Sequence, residues 1–174
     1  MPYGRDDSTL ARPWAVPGTP GLEHRLGGLE KQYETGGVSH DPHNHERMSR
    51  MRAEKVARIA EFVPEQSVDG QEDADLLVIS WGGTHGMVSA AVDNCRDRGR
   101  SVAHAHLRYL NPFPRNLGRL MGRYSRVLVP ELNGGQLALM LRARFLIDVI
   151  SFSKIQGRPF TVAEIEGKVE EVLS

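Results

Sequence analysis

The feature that most constrains the fold is an alternation of short apolar runs with helix-like patterns between residues 74 and 173. The first run, 74–81, reads "ADLLVISW" and is β-prone. From Thr84 to Cys95 the apolar side chains then keep the i, i+3, i+4 spacing of a helix, and Gly99 is placed to end it. Further strands are predicted at 101–110, 125–131 and 148–155, and further helices at 112–124, 134–147 and 161–173. This alternation predicts an α/β domain with a mostly parallel sheet and helices on both faces.

The N-terminal region has a different character. Residues 1–44 are rich in Gly and Pro but contain Trp14, Leu22 and Tyr33, which a solvated linker would not need. We interpret 1–44 as an extended arm that packs on something absent from this chain; a disordered tail is the alternative. Asp41 is placed to cap a helix. The predicted organisation is therefore an arm at 1–44, a helix and connector at 45–70, and an α/β domain at 71–174.

Composition excludes several classes of protein. The formal net charge is zero, which argues against nucleic-acid partners or an anionic membrane surface. No apolar stretch approaches the ~20 residues of a membrane span. The single cysteine, Cys95, excludes an internal disulfide and a four-cysteine iron–sulfur cluster held by this chain alone. Cys95 lies on the apolar stripe of its helix, so we expect it to be an inert small hydrophobe. A single cysteine also fits a protein of a reducing, cytoplasmic compartment.

The first candidate ligand site is the glycine-rich loop after the first strand, formed by Gly82, Gly83, Thr84, His85 and Gly86. It lacks the spacing of a dinucleotide fingerprint and the lysine of a P-loop. The loop still lies where open α/β sheets bind ligands, at the start of a helix. Two interpretations remain open: a cradle for an anion, or a tight turn that the fold requires.

A second strand–turn–helix junction, "VPELNGGQL", is predicted at the same edge of the sheet. Asn133 is placed to cap the next helix, and Gly134 and Gly135 permit close approach of a ligand or of backbone. We interpret Glu131 as a cap or a subunit contact, not as a catalytic carboxylate. No catalytic residue is assigned from the sequence.

Two groups of histidines are also candidates. His40, His43 and His45 lie close together, but they straddle a helix start and lack the spacing of a zinc site, so we predict no metal. His104 and His106 lie on one face of the second strand and are expected to face a packed interface.

The predicted helix at 136–147 is apolar nearly all round, apart from three polar side chains. Such a helix must be covered on nearly all sides, and a small domain covers only one. We therefore expect its second face, around Met140 and Phe145, to meet a partner surface.

Several separated motifs together resemble one protein family. They are "GTPGLEHRLGGLEKQ", "SHDPHNHERMSRMRAEKV", "WGGTHG", "LRYLNPFPRNL" and "VPELNGGQL". Over essentially its whole length the chain is similar to the C-terminal part of the α subunit of the 2-oxoglutarate:ferredoxin oxidoreductases, which are thiamine-pyrophosphate-dependent. The matching region of that family is a transketolase C-terminal-like α/β domain preceded by a connecting arm.

The resemblance implies oxidative decarboxylation of a 2-oxoacid to an acyl-CoA with electron delivery to ferredoxin. Thiamine pyrophosphate, magnesium and an iron–sulfur cluster are then expected mainly on a partner β subunit, with none bound by this chain alone. The family's pyrimidine-binding domain, which carries the cofactor-activating glutamate, would lie upstream of Met1, so Glu131 does not take that role. The Gly82–Gly86 loop then becomes a turn at a domain interface. The alternatives are a stand-alone phosphate- or nucleotide-binding module and the C-terminal domain of another thiamine enzyme. The sequence does not indicate which 2-oxoacid is used.

Overall fold

The computed structural model describes residues 1–174, which form two compact units, Met1–Val63 and Pro64–Ser174. This division differs from the predicted one, because the arm and the first helix belong to the same unit. The residues of the connector from Pro64 onward belong to the second unit.

In the first unit, α1 spans Pro42–Arg58 and a short 3-10 turn spans Ile59–Glu61. The Asp41 side chain accepts a hydrogen bond from the His43 N–H, which confirms the predicted cap. Residues 1–41 contain no helix and only isolated bridges, which pair Tyr3 with Glu34 and Lys31 with Val38.

The expected extended arm is not confirmed, because residues 1–41 fold back on α1. The Asn44 side chain accepts from the Tyr33 N–H and donates to the Lys31 carbonyl. Met48 of α1 is buried. One polar side chain thus satisfies two backbone groups that an extended arm would leave to solvent.

The second unit contains the predicted sheet. Its strands are β1 (Leu76–Trp81), β2 (Val102–Leu107), β3 (Arg126–Glu131) and β4 (Val149–Ser153). All pairings are parallel and the strand order is β2-β1-β3-β4. Its helices are α2 (His85–Asp97), α3 (Leu117–Met121), α4 (Gln136–Phe145) and α5 (Val162–Leu173).

Helices cover both faces of this sheet, as predicted. On one face, α3 and α4 pack on strand residues that include Leu77, Ile79 and Val129. On the other, α2 and α5 pack on alternate positions that include Leu76 and Val78. These strands are buried on both faces, which explains why they read as continuous apolar runs in the sequence.

The ends of the helices follow local chemistry. Thr161 and Glu164 form the predicted reciprocal capping box of α5. Cys95 is fully buried in the α2 layer, and burial raises the pKa of its thiol, as fits the packing role expected for it. No helix combines the length and the apolar character that a membrane crossing needs.

Candidate functional site at the carboxyl edge of the sheet

The carboxyl ends of β1 and β2 bring together four polar side chains. Ser80 pairs in register with His106, and Val78 pairs with His104. Because side chains alternate along a strand, Ser80, His104 and His106 share the face that α2 covers. His85, the first residue of α2, completes the group.

The Ser80 hydroxyl is the centre of this group. Its Oγ lies 2.7 Å from His104 Nε2 and 2.8 Å from His106 Nδ1. A hydroxyl has one proton, so Ser80 donates to at most one of these nitrogens and accepts from the other. The His85 ring lies edge-on to that of His106, with 4.6 Å between centroids, and 5.8 Å from that of His104.

Burial sets the charge of this cluster. Burial lowers the pKa of His104 to about 4, assisted by the neighbouring His85 and His106 and opposed by Asp69. Burial, His85 and Arg108 also lower the pKa of His106. His104 is therefore a neutral imidazole at neutral pH.

The cluster is a structural network and not an exposed acid–base pair. Ser80 has the short contact to an imidazole that an activated nucleophile needs. However, Ser80 is completely buried and His104 is only 3% exposed, so no substrate atom reaches the hydroxyl. The network ties β1 to β2, beneath the start of α2.

The loop residues after β1 have separate roles. Thr84 is buried, and its hydroxyl bonds to the backbone carbonyl and N–H of Trp81, so it is not free for a ligand. Gly82 has φ +56°, a conformation that favours glycine. A Cβ at Gly83 or Gly86 would meet no atom within 4 Å. Since neither glycine is required for packing within this chain, the surface beside them is open to close approach from outside.

The junction between β3 and α4 is closed by its own side chains. Glu131 is completely buried, and its two carboxylate oxygens accept from the Leu137 N–H at 2.8 Å and the Ala138 N–H at 2.9 Å. Asn133 Oδ1 accepts from the N–H groups of Gly135 and Gln136. Of the two roles expected for Glu131, a cap or a subunit contact, the structure shows the cap. An anion at this helix start would meet a carboxylate already in place.

The two glycines of this junction differ in their surroundings. Gly135 has φ +87°, and a Cβ there would lie 2.9 Å from the Ser151 hydroxyl, so a side chain does not fit. The nearest atom to a Cβ at Gly134 is the Gln136 side chain at 3.7 Å. Gly135 therefore serves the approach of α4 to β4.

The structure separates the remaining candidates. His45 Nδ1 lies 2.8 Å from Glu30, and no group of three or more potential metal ligands occurs in the chain. The sequence placed His104 and His106 on one face of the second strand and His85 in the glycine-rich loop. It did not indicate Ser80, which contacts both strand histidines. The signal available was a serine at the end of one strand and an alternating His-x-His on the next.

Helix α4 and its C-cap leave an apolar face in solvent. It is formed by Leu139 and Met140 of the helix and by the cap residue Leu146, which are 68%, 44% and 91% exposed. Leu146 also has φ +55°, a left-handed conformation that is unfavourable for leucine. Phe145, by contrast, packs within its own unit, against Phe113. The expectation that Phe145 lies on the outer face is therefore wrong, whereas Met140 does lie there.

These observations define a parallel α/β domain in which the β3–α4 junction is closed by its own side chains, the loop after β1 is open, and the fourth helix is incompletely covered. Residues 74–165 match the family described as pyruvate:ferredoxin oxidoreductase core domain II. The chain belongs to this family.

Relatives extend the similarity over nearly the whole chain. It is 52% identical over 166 residues, 95% of its length, to the 2-oxoglutarate oxidoreductase subunit KorA of Mycobacterium tuberculosis. It is 34% identical over 152 residues, 84% of its length, to the α subunit of 2-oxoacid:ferredoxin oxidoreductase 2 of Aeropyrum pernix. These matches cover 25% and 24% of the two relatives, so the chain spans about a quarter of their length.

A solved structure gives a similar result. It is the 2-oxoglutarate:ferredoxin oxidoreductase from Magnetococcus marinus with 2-oxoglutarate, coenzyme A and succinyl-CoA bound. The match covers 99% of this chain and 30% of that one, with a TM-score of 0.88 and 33% identity.

Proposed function

We propose that this chain forms one part of the α subunit of a 2-oxoglutarate:ferredoxin oxidoreductase, where it has a structural and subunit-interface role. The assembled enzyme would convert 2-oxoglutarate and coenzyme A to succinyl-CoA and CO₂ and pass the electrons to ferredoxin. The observation that carries the proposal is the 52% identity to the M. tuberculosis subunit over 95% of the chain. The fold match to the M. marinus enzyme over 99% of the chain, arm included, supports it.

The cofactors of such an enzyme would lie on other parts of the assembly. Thiamine pyrophosphate and magnesium are assigned to the β subunit and to a pyrimidine-binding domain, and the iron–sulfur cluster to a partner. The β3–α4 junction does not fit a diphosphate, because Glu131 and Asn133 already accept from the first N–H groups of α4. The same contacts argue against a stand-alone phosphate-binding module built on Gly134 and Gly135.

The Gly82–Gly86 loop is assigned to an interface. Its glycines leave open surface without a packing reason inside the chain, and its threonine hydroxyl is already bonded to backbone. A neighbouring polypeptide can approach this surface closely. We therefore assign Gly83, His85 and Gly86 to a domain contact and not to a cofactor.

The apolar face of α4 is assigned to the same assembly. Each large aliphatic side chain left in water forgoes about 1.5–3 kcal/mol of burial, and exposed apolar patches mark interaction surfaces. Since the chain spans about a quarter of its relatives, the remainder of the α subunit or the β subunit supplies the covering surface. The setting is a cytoplasmic enzyme that uses ferredoxin.

A chimera tests the proposed function. The quarter of the M. tuberculosis subunit that matches this chain is replaced by this chain and produced with the partner subunits of that enzyme. We expect ferredoxin reduction that depends on both 2-oxoglutarate and coenzyme A.

Two controls accompany the chimera. The M. tuberculosis subunit lacking the matching quarter, and this chain alone with all cofactors, should both match the blank without protein. An assembled, folded chimera without turnover, or turnover by the chain alone, would contradict the proposal.

A further inference from the structure

The first unit contains an open cavity of about 840 Å³ with an unbalanced charge. Only one acidic side chain, Glu30, lines it, together with five lysines and arginines: Arg5, Arg12, Lys31, Arg52 and Lys55. Nearly all the charge at its wall is therefore positive. A cavity of this size is typical of a small-molecule site.

The single carboxylate is already engaged. Glu30 accepts from Arg52 at 3.1 and 3.3 Å and lies 2.8 Å from His45. Arg5 donates a hydrogen bond only to the Leu10 carbonyl, at 2.7 Å. Lys31, which is 4% exposed, donates to the Leu29 carbonyl at 2.8 Å. Neutral carbonyls satisfy hydrogen bonds but do not balance charge, so most of these basic groups lack a counter-ion.

Two buried donors in this wall have no partner at all. They are Arg5 Nε and Arg12 Nη1. The Arg12 guanidinium stacks on the Tyr3 ring at 3.9 Å, which restrains its plane. Buried polar groups are nearly always hydrogen-bonded, so each such exception needs an explanation. Burial and the charges of Arg12 and Arg52 also lower the pKa of Arg5.

A second cavity, of about 530 Å³, adjoins the first and shares Arg12 and Lys55 with it. Its wall includes Trp14 and Leu22. Trp14 is 92% exposed, so its ring is open to stacking. The cationic cavity thus adjoins a cavity that contains an exposed tryptophan, and Arg12 and Lys55 line both.

We propose that the cationic cavity binds a diphosphate group through Arg5, Arg12 and Lys55. Arginine forks match phosphate oxygens in bidentate fashion, and lysine supplies a compact charge. A diphosphate has enough charge to balance the unpaired basic groups and enough acceptors for the side chains of Arg5, Arg12 and Lys55 that line the cavity. This site lies in the first unit and does not depend on the proposed oxidoreductase function.

Calorimetric titration of the full chain with inorganic pyrophosphate tests the proposal. We expect saturable binding that Arg12→Gln and Lys55→Gln each weaken roughly tenfold or more, the loss expected for a charge-assisted hydrogen bond. The matched control is Arg50→Gln, which is on the same helix as Lys55, pairs with Glu46 and lies outside the cavity. It should bind as the parent does. Circular dichroism of each variant establishes that it is folded.

A second titration identifies the source of the diphosphate. Trp81→Phe leaves Trp14 as the only tryptophan, and ADP is compared with pyrophosphate. Tighter binding of ADP with a change in Trp14 emission identifies a nucleotide; equal affinity identifies the phosphates alone, and both support the proposal. Absence of saturable pyrophosphate binding, or binding that folded Arg12→Gln and Lys55→Gln variants retain in full, would overturn it. Either failure would leave the chimera assay unaffected.

Discussion

Replacing Glu131 by glutamine should destabilise the second unit by removing one acceptor from the start of α4. The carboxylate accepts two backbone N–H groups, from Leu137 and Ala138, at a completely buried position. Glutamine retains one acceptor oxygen and presents an NH₂ donor to the other N–H. One buried donor then has no partner, and the surviving bond loses its charge.

The magnitude follows from these contacts. Losing one hydrogen bond to a charged group at a buried site costs about 1.5–3 kcal/mol. Urea unfolding measures this change through Trp81 in a Trp14→Phe background, so that the signal comes from the second unit. Glu65→Gln is the control, because Glu65 is exposed, and it should unfold with the parent. If Glu131→Gln unfolds at the same urea concentration as Glu65→Gln, the capping role of Glu131 is refuted.

Two further predictions concern histidines. The pKa of His104, lowered to about 4 in the folded state, should by itself reduce the free energy of unfolding by about 3 kcal/mol as the pH drops from 6.5 to 4. The lowered pKa of His106 adds to this fall. Urea titrations at each pH measure this, and His104→Gln should flatten the slope. Elemental analysis of the purified chain should find no stoichiometric zinc or iron, since His40, His43 and His45 form no ligand group.

The sign of the pH effect follows from proton binding. Between pH 6.5 and 4 the unfolded chain binds a proton at His104 that the folded chain excludes, so acid favours unfolding. Carboxylates with lowered pKa values, such as Glu164 at about 2, change the free energy of unfolding mainly below pH 4.5. The change between pH 6.5 and 4.5 is therefore assigned to histidine. An equal slope in His104→Gln would contradict this assignment.

For the metal prediction, one zinc or iron ion per purified chain would be the contradicting result.

The sequence predicted the sheet because its signals are local. Apolar runs of strand length, the spacing within α2 and the Thr161–Glu164 capping box each lie within one element. The Ser80–His104–His106 network was not predictable in the same way. It depends on β1 and β2 being neighbours and on Ser80 pairing with His106, which no local pattern specifies.

The folding of residues 1–41 on α1, and the cavity that it forms, were not predicted for a related reason. Arg5 and Arg12 meet Arg52 and Lys55 only because residues 1–41 fold back on α1. That fold depends on single contacts such as the Asn44 side chain with two backbone groups. A region rich in Gly and Pro gives no periodic signal from which such contacts can be inferred.

The exchange of the amide hydrogens of α4 tests the central claim most directly. It is measured for residues 136–146 in the isolated chain and in the assembled chimera, together with sedimentation of the isolated chain. We predict that the isolated chain self-associates through Leu139, Met140 and Leu146. Compared with the isolated chain, amide exchange in the chimera should slow more in α4 than in α5. A monomeric isolated chain whose α4 exchanges as slowly as in the chimera would show that the chain buries this helix unaided, and would contradict the account.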